Sequence, residues 1–357
     1  MTEKRTTIKD IAEQANVSIG TVHCALNGKP GVSEQNRARI MEIARRLDYR
    51  PNAVAASLKR KAIRIAAAFP GPTEESKFYY SFIWEGIRDW IQSQSDFNIS
   101  LVEVPFYLGA NSQANELANL LDWVEIDGLI TTGYTDIRGM TAVQDFIVRG
   151  IPVILVGDDI PQCGRMCCVQ PNYQIIGRTL AELLTKQIPS DGGILLCAGD
   201  VIVPSHYEVV HGFDAYLRDH GCNNPIYKVH EGDSRSRVFD HLVQQLRQRT
   251  DLAACCSVNA RNSVLLGNAL QETGKAGTLS AVGSDIFAEN VRFLRDGVFT
   301  NLLYKKPYSL AYTAAKYLTD YLLKDERPPQ DVVYLGSEII FESSLPMYDN
   351  GLFRLLR

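Results

Sequence analysis

The chain has 357 residues, enough for two or three domains that each bury a core. Its 45% hydrophobic and 22% charged residues exclude disordered and fibrous classes. The net charge of −4 hides an asymmetry: residues 1–61 hold twelve Lys/Arg against six Asp/Glu, a net of +6, and the remainder holds 25 against 35, a net of −10. A small basic head on a large acidic body is the footprint of a protein that puts only its head on nucleic acid.

The N-terminus, MTEKRTTIKD, runs directly into an amphipathic pattern without a signal-like apolar region. No apolar run approaches the roughly 18 residues of a membrane span. A cytoplasmic protein without a membrane partner is expected. The eight cysteines include the adjacent pairs Cys167–Cys168 and Cys255–Cys256 and no C-x-x-C, and most sit in apolar runs. They read as small buried hydrophobes, not as disulfides or metal ligands.

Residues 6–50 read as three short helices. Thr7 and Asp10 form a capping-box start, and Ile8, Ile11, Ala12 and Ala15 supply an apolar stripe. Asn16–Val17 makes a turn. Ser18 has N-cap chemistry for a second helix, with Val22, Ala25 and Leu26 inward, stopped by Gly28, Pro30 and Gly31. Ser33 caps a third helix, with Ile40, Ile43, Ala44 and Leu47 inward and Arg37, Arg39, Arg45 and Arg46 outward. Two short helices across a tight turn are the minimal geometry for reading a major groove. A generic three-helix bundle with a solvated charged face fits the same pattern.

The run TIKDIAEQANVSIGTVHCALNGKPGVSEQNRARIMEIARRLDYRPNAVAASL, residues 7–58, resembles without gaps the head of the lactose-repressor (LacI) family of transcriptional regulators. It carries a V-S-x-x-T-V turn and helix, an N-G-K-P-G-V-S connection and a Y-x-P-N-x-x-A-x-x-L hinge. The resemblance implies that Ile19, Gly20, His23 and Cys24 face the groove, and that Thr7, Ser18, Thr21, Asn27 and Ser33 hold phosphates or frame it. Members usually have Ser or Asp and then Arg where this chain has His23 and Cys24, so an obvious reader of guanine is missing.

Residues 51–61, PNAVAASLKRK, form a linker of good helix formers behind a proline, too short to hold a helix alone. By the resemblance it is a hinge helix that orders on DNA. Asn52, Val54, Ala55 and Leu58 then sit at the minor groove, with Leu58 as the wedge. The alternative is an ordinary flexible linker.

From residue 62 apolar runs alternate with amphipathic helices. The runs are 63–69, 99–105, 128–132, 152–156, 193–198, 226–229, 253–258 and 279–283. Helical stretches lie near 78–94, 111–123, 139–149, 172–187, 205–220, 235–249, 261–272 and 286–296. The alternation predicts parallel sheets covered on both faces, and eight units exceed one open sheet. The expected fold is a three-helix helix-turn-helix head with a hinge helix, and an α/β body of two doubly wound parallel-sheet subdomains. Residues 62–345 resemble a type I periplasmic-binding-protein module, with looser motifs than the head.

The expected domains are 1–50 for DNA binding, 51–61 for the hinge and 62–357 for ligand binding. The N-subdomain is placed at about 62–160 and 290–324, and the C-subdomain at about 161–289 and 325–345. Crossings near 158–162, 286–292 and 322–328 would be pivots.

Ligands in such folds bind beyond the carboxyl ends of the strands. There stand Phe78, Tyr79 and Tyr80, suited to stacking on a sugar or polyol ring, and Asp158 and Asp159, suited to paired hydroxyls. His206, Tyr207, Asn259, Asp285 and Lys305 follow other strands, where the family places ligand contacts. Many members have Arg in place of Tyr207, Gln in place of Lys305 and Asp in place of Gly157. A structural cap or loop role is the alternative for each.

Phosphate-loop, dinucleotide and nucleophile-elbow motifs are absent, and His206 and His211 lack the spacing of a helical zinc pair. No catalytic residue, metal or cofactor is expected. The expected protein is a dimeric repressor that binds a palindromic operator in double-stranded DNA and answers to a sugar, polyol or related effector. A transporter's solute-binding protein is the second reading. The tail GLFRLLR is too short for a heptad array, which favours homodimers over tail-linked tetramers.

Overall fold

A computed structural model of the chain describes residues 6–26, 30–47, 62–107, 111–133, 137–200, 202–232 and 237–348. The chain divides into two compact units, residues 1–62 with 95–98 and residues 63–94 with 99–357; the three-helix head belongs to the first and the body's sheets to the second.

In the head, helices α1 (Ile8–Ala15), α2 (Ile19–Leu26) and α3 (Glu34–Arg46) pack around Ile11, Ala15, Val22, Ala25, Ile40 and Ile43. The capping box forms as expected: Thr7 accepts from the Asp10 N–H, and Asp10 accepts from the Thr7 N–H at 2.6 Å. Asn16 takes the left-handed conformation with φ 48°, which reverses the chain, and the Val17 N–H returns to the Ala12 carbonyl. Ser18 accepts from the Thr21 N–H at 3.0 Å, and Ser33 from the Asn36 N–H. Arg37 departs from its expected outward role. Its guanidinium donates to the Cys24 and Ala25 carbonyls at 3.4 and 2.9 Å and so closes the open end of α2.

The body holds two six-stranded sheets. The first contains β1 (Ile63–Pro70), β2 (Ile99–Phe106), β3 (Gly128–Thr131), β4 (Val153–Val156), β5 (Cys167–Pro171) and β11 (Val332–Leu335). Its order is β2-β1-β3-β4-β5-β11, all parallel. The second contains β6 (Gly193–Gly199), β7 (Ile226–His230), β8 (Leu252–Ser257), β9 (Ser280–Ser284), β10 (Asn301–Tyr304) and β12 (Glu338–Ile340). Its order, β7-β6-β8-β9-β10-β12, repeats the pattern of the first with β12 antiparallel.

Both faces of each sheet are covered. Helices α4 (Lys77–Ser93) and α12 (Pro307–Lys324) cover one face of the first sheet; α5 (Ser112–Trp123) and α6 (Ile137–Val148) cover the other. On the second sheet, α7 (Tyr173–Gln187) and α8 (Pro204–Asp219) lie opposite α9 (Val238–Gln248), α10 (Ala260–Glu272) and α11 (Ala288–Arg295). Buried Val, Ile, Leu, Ala and Cys fill the sheet interiors, and neither face of the central strands meets water. The adjacent cysteines belong to this packing: all four are buried and free, and burial pushes the Cys167 thiol up to about 11 and the Cys255 thiol up to about 12.

The internal boundaries differ from those expected. β5 belongs to the first sheet, so the first crossing lies at 171–173 and not at 158–162. β10 belongs to the second sheet, which moves the next crossing from 286–292 to 304–307, and the last crossing runs from β11 to β12 at 335–338 instead of 322–328. The reason is local. CCVQP and VVYL are edge-side strands too short for a strong period-2 signal, and the α12 helix was not distinguished from its surroundings.

Helices α7 and α8 meet backbone to backbone. A Cβ on Gly177 would stand 1.9 Å from the Val209 carbonyl oxygen, and one on Gly212 would stand 2.1 Å from that of Gln174. Gly177→Ala is therefore expected to destabilise the body by about 3 kcal/mol in urea denaturation. Gly150→Ala, at φ 78° with open space around it, should cost about 1 kcal/mol. Equal losses would contradict this account of the helix pair.

Candidate functional site

The two sheets present their carboxyl ends to one cleft of about 280 Å³. In each, the strand order reverses beside the first strand, the place where open parallel sheets leave a crevice. The first half contributes aromatic walls: Phe69 at the end of β1, Tyr79 and Tyr80 on α4, Phe106 at the end of β2 and Tyr107 just after it. Thr132 and Asp158 follow β3 and β4. The second half contributes Tyr173, His206, Glu231, Asn259, Arg261 and Lys305.

The polar side chains of the second wall largely hold one another. Lys305 is almost wholly buried, and its Nζ donates to the Val258 carbonyl at 3.1 Å and the Ser284 hydroxyl at 2.6 Å, and pairs with Asp285 at 2.9 Å. These three acceptors match the three donors of an ammonium. Asp285 also accepts from the Lys305 N–H at 3.1 Å and takes a left-handed φ of 69°, a conformation that Asp tolerates better than most residues. Glu231 is buried and accepts from Asn262 at 2.9 Å, Asn259 at 3.2 Å and Arg261 at 3.3 Å. Asn259 caps α10 by accepting from the Asn262 N–H at 2.8 Å. The Asp200 N–H donates to Nδ1 of His206 at 3.1 Å, and the Asn259 amide nitrogen lies 3.4 Å from Nε2 of the same ring.

Several contacts among the described residues join the walls. Asp158, after β4, accepts from the Ser205 N–H in the first turn of α8 at 2.9 Å. That helix begins Val203-Pro204 and has no side-chain cap of its own, so the carboxylate supplies one from across the cleft. Phe78 stacks on Phe287 at 4.8 Å between ring centroids, beside Phe82 and Ala260. Lys77 and Glu289 approach to 3.8 Å in the open, where an ion pair contributes little. Burial raises the pKa of Asp158 above the ordinary carboxylate value, against the lowering effects of Ser205 and of Lys305. Burial also raises the phenols of Tyr79 and Tyr173, with Asp158 adding to both.

The sequence candidates divide accordingly. Tyr79, Tyr80, Asp158, His206, Asn259 and Lys305 line the cleft. Phe78 lies instead in the apolar contact between the halves. Asp159 turns away and forms a two-pronged pair with Arg165, so its carboxylate is occupied within its own loop. Tyr207 is exposed and stacks on His211, because it lies one residue round the helix from His206. Asp285 stands behind Lys305 and does not line the cleft. Tyr173, Glu231 and Arg261 were not singled out from sequence. A polar or aromatic residue next to a strand end was the available signal, but it is common in loops. Among the described residues, no group of three or more His, Cys, Asp or Glu is placed to hold a metal.

In the head, Thr7, Ser18, Ile19, Gly20 and Ser33 are exposed, and Thr21 and Cys24 are half-buried. The helix-turn-helix thus presents the first turn of α2 outward. His23 lies on α2 with its side chain outside the described residues, as are Asn27, Asn52, Val54, Ala55 and Leu58.

This is a cleft-type binding body joined in one chain to a helix-turn-helix head. Residues 71–326 match the profile of the periplasmic binding protein domain, and residues 7–52 match that of bacterial regulatory proteins, lacI family. The chain belongs to the periplasmic binding protein domain family over most of its length and carries a head of the lacI family of bacterial regulatory proteins.

Catabolite control protein A from Priestia megaterium is 34% identical over 236 residues, 64% of this chain and 65% of that protein. The protein of the same name from Streptococcus mutans is 32% identical over 157 residues, 44% of each chain. These matches therefore span less than two thirds of the relatives' lengths. A solute-binding protein of an ABC transporter from Burkholderia graminis, solved with D-arabinose, shares the fold with a TM-score of 0.72. It is 17% identical, with 81% of this chain and 99% of that one covered. Among the described residues, no helix is long and apolar enough to cross a membrane.

Two outcomes follow from the cleft. Lys305→Met strands the buried Asp285 carboxylate and is expected to cost about 3–5 kcal/mol in urea denaturation. A loss below about 1 kcal/mol, the range of surface pairs, would show that the pair is not buried in solution. Because the Asp158 pKa is raised on folding, its contribution is full below the ordinary carboxylate pKa and is lost as pH rises through the folded value. The melting temperature of the wild type minus that of Asp158→Asn should therefore fall as the pH rises above the ordinary carboxylate pKa. A difference that stays level or rises would contradict the assignment.

Proposed function

We propose that this chain is a ligand-responsive transcriptional repressor that binds a palindromic operator as a homodimer. The observation that carries the reading is the union, in one chain, of a capped helix-turn-helix head with a cleft walled from two sheets. A two-fold dimer would set two copies of α2 on successive half-sites, which is why the operator is palindromic. The relatives' name, catabolite control protein, supports regulation over transport. No enzymatic role is assigned, and the site of action is the cytoplasm.

In this reading Ser18, Thr21, Thr7, Asn27 and Ser33 hold phosphates, and Ile19, Gly20, His23 and Cys24 face the base edges. The exposed hydroxyls at the start of α1, α2 and α3 suit phosphate binding, since each stands beside free helix N–H groups. Asn52, Val54, Ala55 and Leu58 form the hinge at the minor groove. The cleft takes a hydroxylated small molecule, stacked on Tyr79 and Tyr80 and bound by Asp158, His206 and Asn259. The ligand acts through its different affinities for the open and closed body, and DNA affinity shifts by that difference.

The full chain should select a palindrome from a pool of random duplexes. His23→Ala should then lose discrimination at one position of each half-site, a penalty of about 1–3 kcal/mol, while non-specific binding persists. Selection of no common sequence would overturn the regulator reading. An unchanged preference in the variant would remove His23 from the reading face.

A further inference from the structure

The charges around the cleft are unequally matched. On the second wall both cations have carboxylate partners, Lys305 with Asp285 and Arg261 with Glu231. Asp158 on the first wall has no side-chain cation within ion-pair distance among the described residues, and Ser205 is its hydrogen-bonding partner. A carboxylate offers about four acceptor sites, so capacity remains.

Two phenols converge on the same place. A Cβ built on Gly157, the residue before Asp158, would stand 3.7 Å from the Tyr173 hydroxyl and 3.9 Å from the Tyr79 hydroxyl. Both rings line the cleft, and neither hydroxyl has a hydrogen-bond partner among the described residues. Gly157 holds φ 83°, so the absence of a side chain there keeps this corner open.

Resting on the proposed ligand-responsive function, we propose that the cleft takes a hydroxylated ligand bearing a protonated primary amine, with its ammonium held by Asp158, Tyr79 and Tyr173. An ammonium brings three donors, and a carboxylate with two phenol oxygens gives three acceptors. A neutral polyol would satisfy the phenols and leave the half-buried carboxylate without a countercharge. An acid or phosphate ester would meet Asp158 and Glu231 with both cations already engaged. The aromatic surroundings add attraction for a cation: Phe69 lies 6.5 Å from Tyr80, and Tyr79 and Tyr80 meet edge to face at 5.4 Å. Lys305 Nζ already stands 5.9 Å from the centre of the Tyr79 ring. The raised pKa of Asp158 agrees with a carboxylate awaiting a countercharge.

The test is calorimetry on the full chain with matched sets of hexoses, pentoses and inositols, each in neutral, aminated and carboxylated form. At least one aminated member should bind about tenfold more tightly than its neutral counterpart, the acids should not bind, and Asp158→Asn should abolish that preference. Tyr79→Phe combined with Tyr173→Phe, which keeps both rings and the carboxylate, should weaken the amine about tenfold and provides the check if Asp158→Asn fails to fold. Tighter binding of a neutral or acidic member, a preference that survives Asp158→Asn, or no binding by any set would overturn the proposal. A neutral sugar that binds and alters DNA affinity would leave the regulator reading standing. Ligand binding of any class without an effect on DNA would remove that reading instead.

Discussion

One hydrogen bond, from the Ser205 N–H to Asp158, organises the body. Helix α8 starts at a proline behind a valine, so nothing in its own sequence satisfies its first free N–H groups. The chain answers from the other side of the cleft, with a carboxylate fixed at the end of β4. A helix terminus and its cap are thereby separated onto two sheets, and their contact spans the cleft. The same carboxylate lines the cavity, so a ligand that engages it meets the contact that ties the two halves together.

The walls divide the work. The second is braced internally: Lys305 has three acceptors, Glu231 collects three donors, and Asn259 caps a helix while touching the network. Such a network is costly to break and holds its shape. The first wall is mostly aromatic and brings the Tyr79 hydroxyl and the Asp158 carboxylate to the cleft, while Tyr173 adds its hydroxyl from the second. Recognition therefore falls on the corner where these three groups meet, and the braced network of the second wall backs it. Three chain crossings connect the halves, and any rotation of one half against the other must pass through them.

Much of this was legible in the sequence. Helix caps follow from a few adjacent residues, so Thr7, Asp10, Ser18 and Ser33 announced the head before its packing was known. The long buried strands of the body were equally plain, because their apolar runs leave no other place for them. What failed were pairings between distant residues. Asp159 and Arg165 engage each other across a turn, Arg37 bends back onto the end of α2, and Asp285 serves Lys305 twenty residues later. Each is a charged residue whose partner depends on chain direction after a turn, which periodicity does not encode. Sheet membership of β5, β10 and β11 was lost for a related cause, since short strands carry little pattern and their sheet is chosen by tertiary packing.

The central claim is that occupancy of the cleft and occupancy of the DNA are linked. It is tested most directly by titrating a cleft ligand into the free chain and into the chain saturated with its selected DNA. Linkage predicts that ligand affinity changes by about fivefold or more between the two, and that DNA affinity changes by the same factor when ligand is present. Identical ligand affinities for the free and DNA-bound chain would contradict the account.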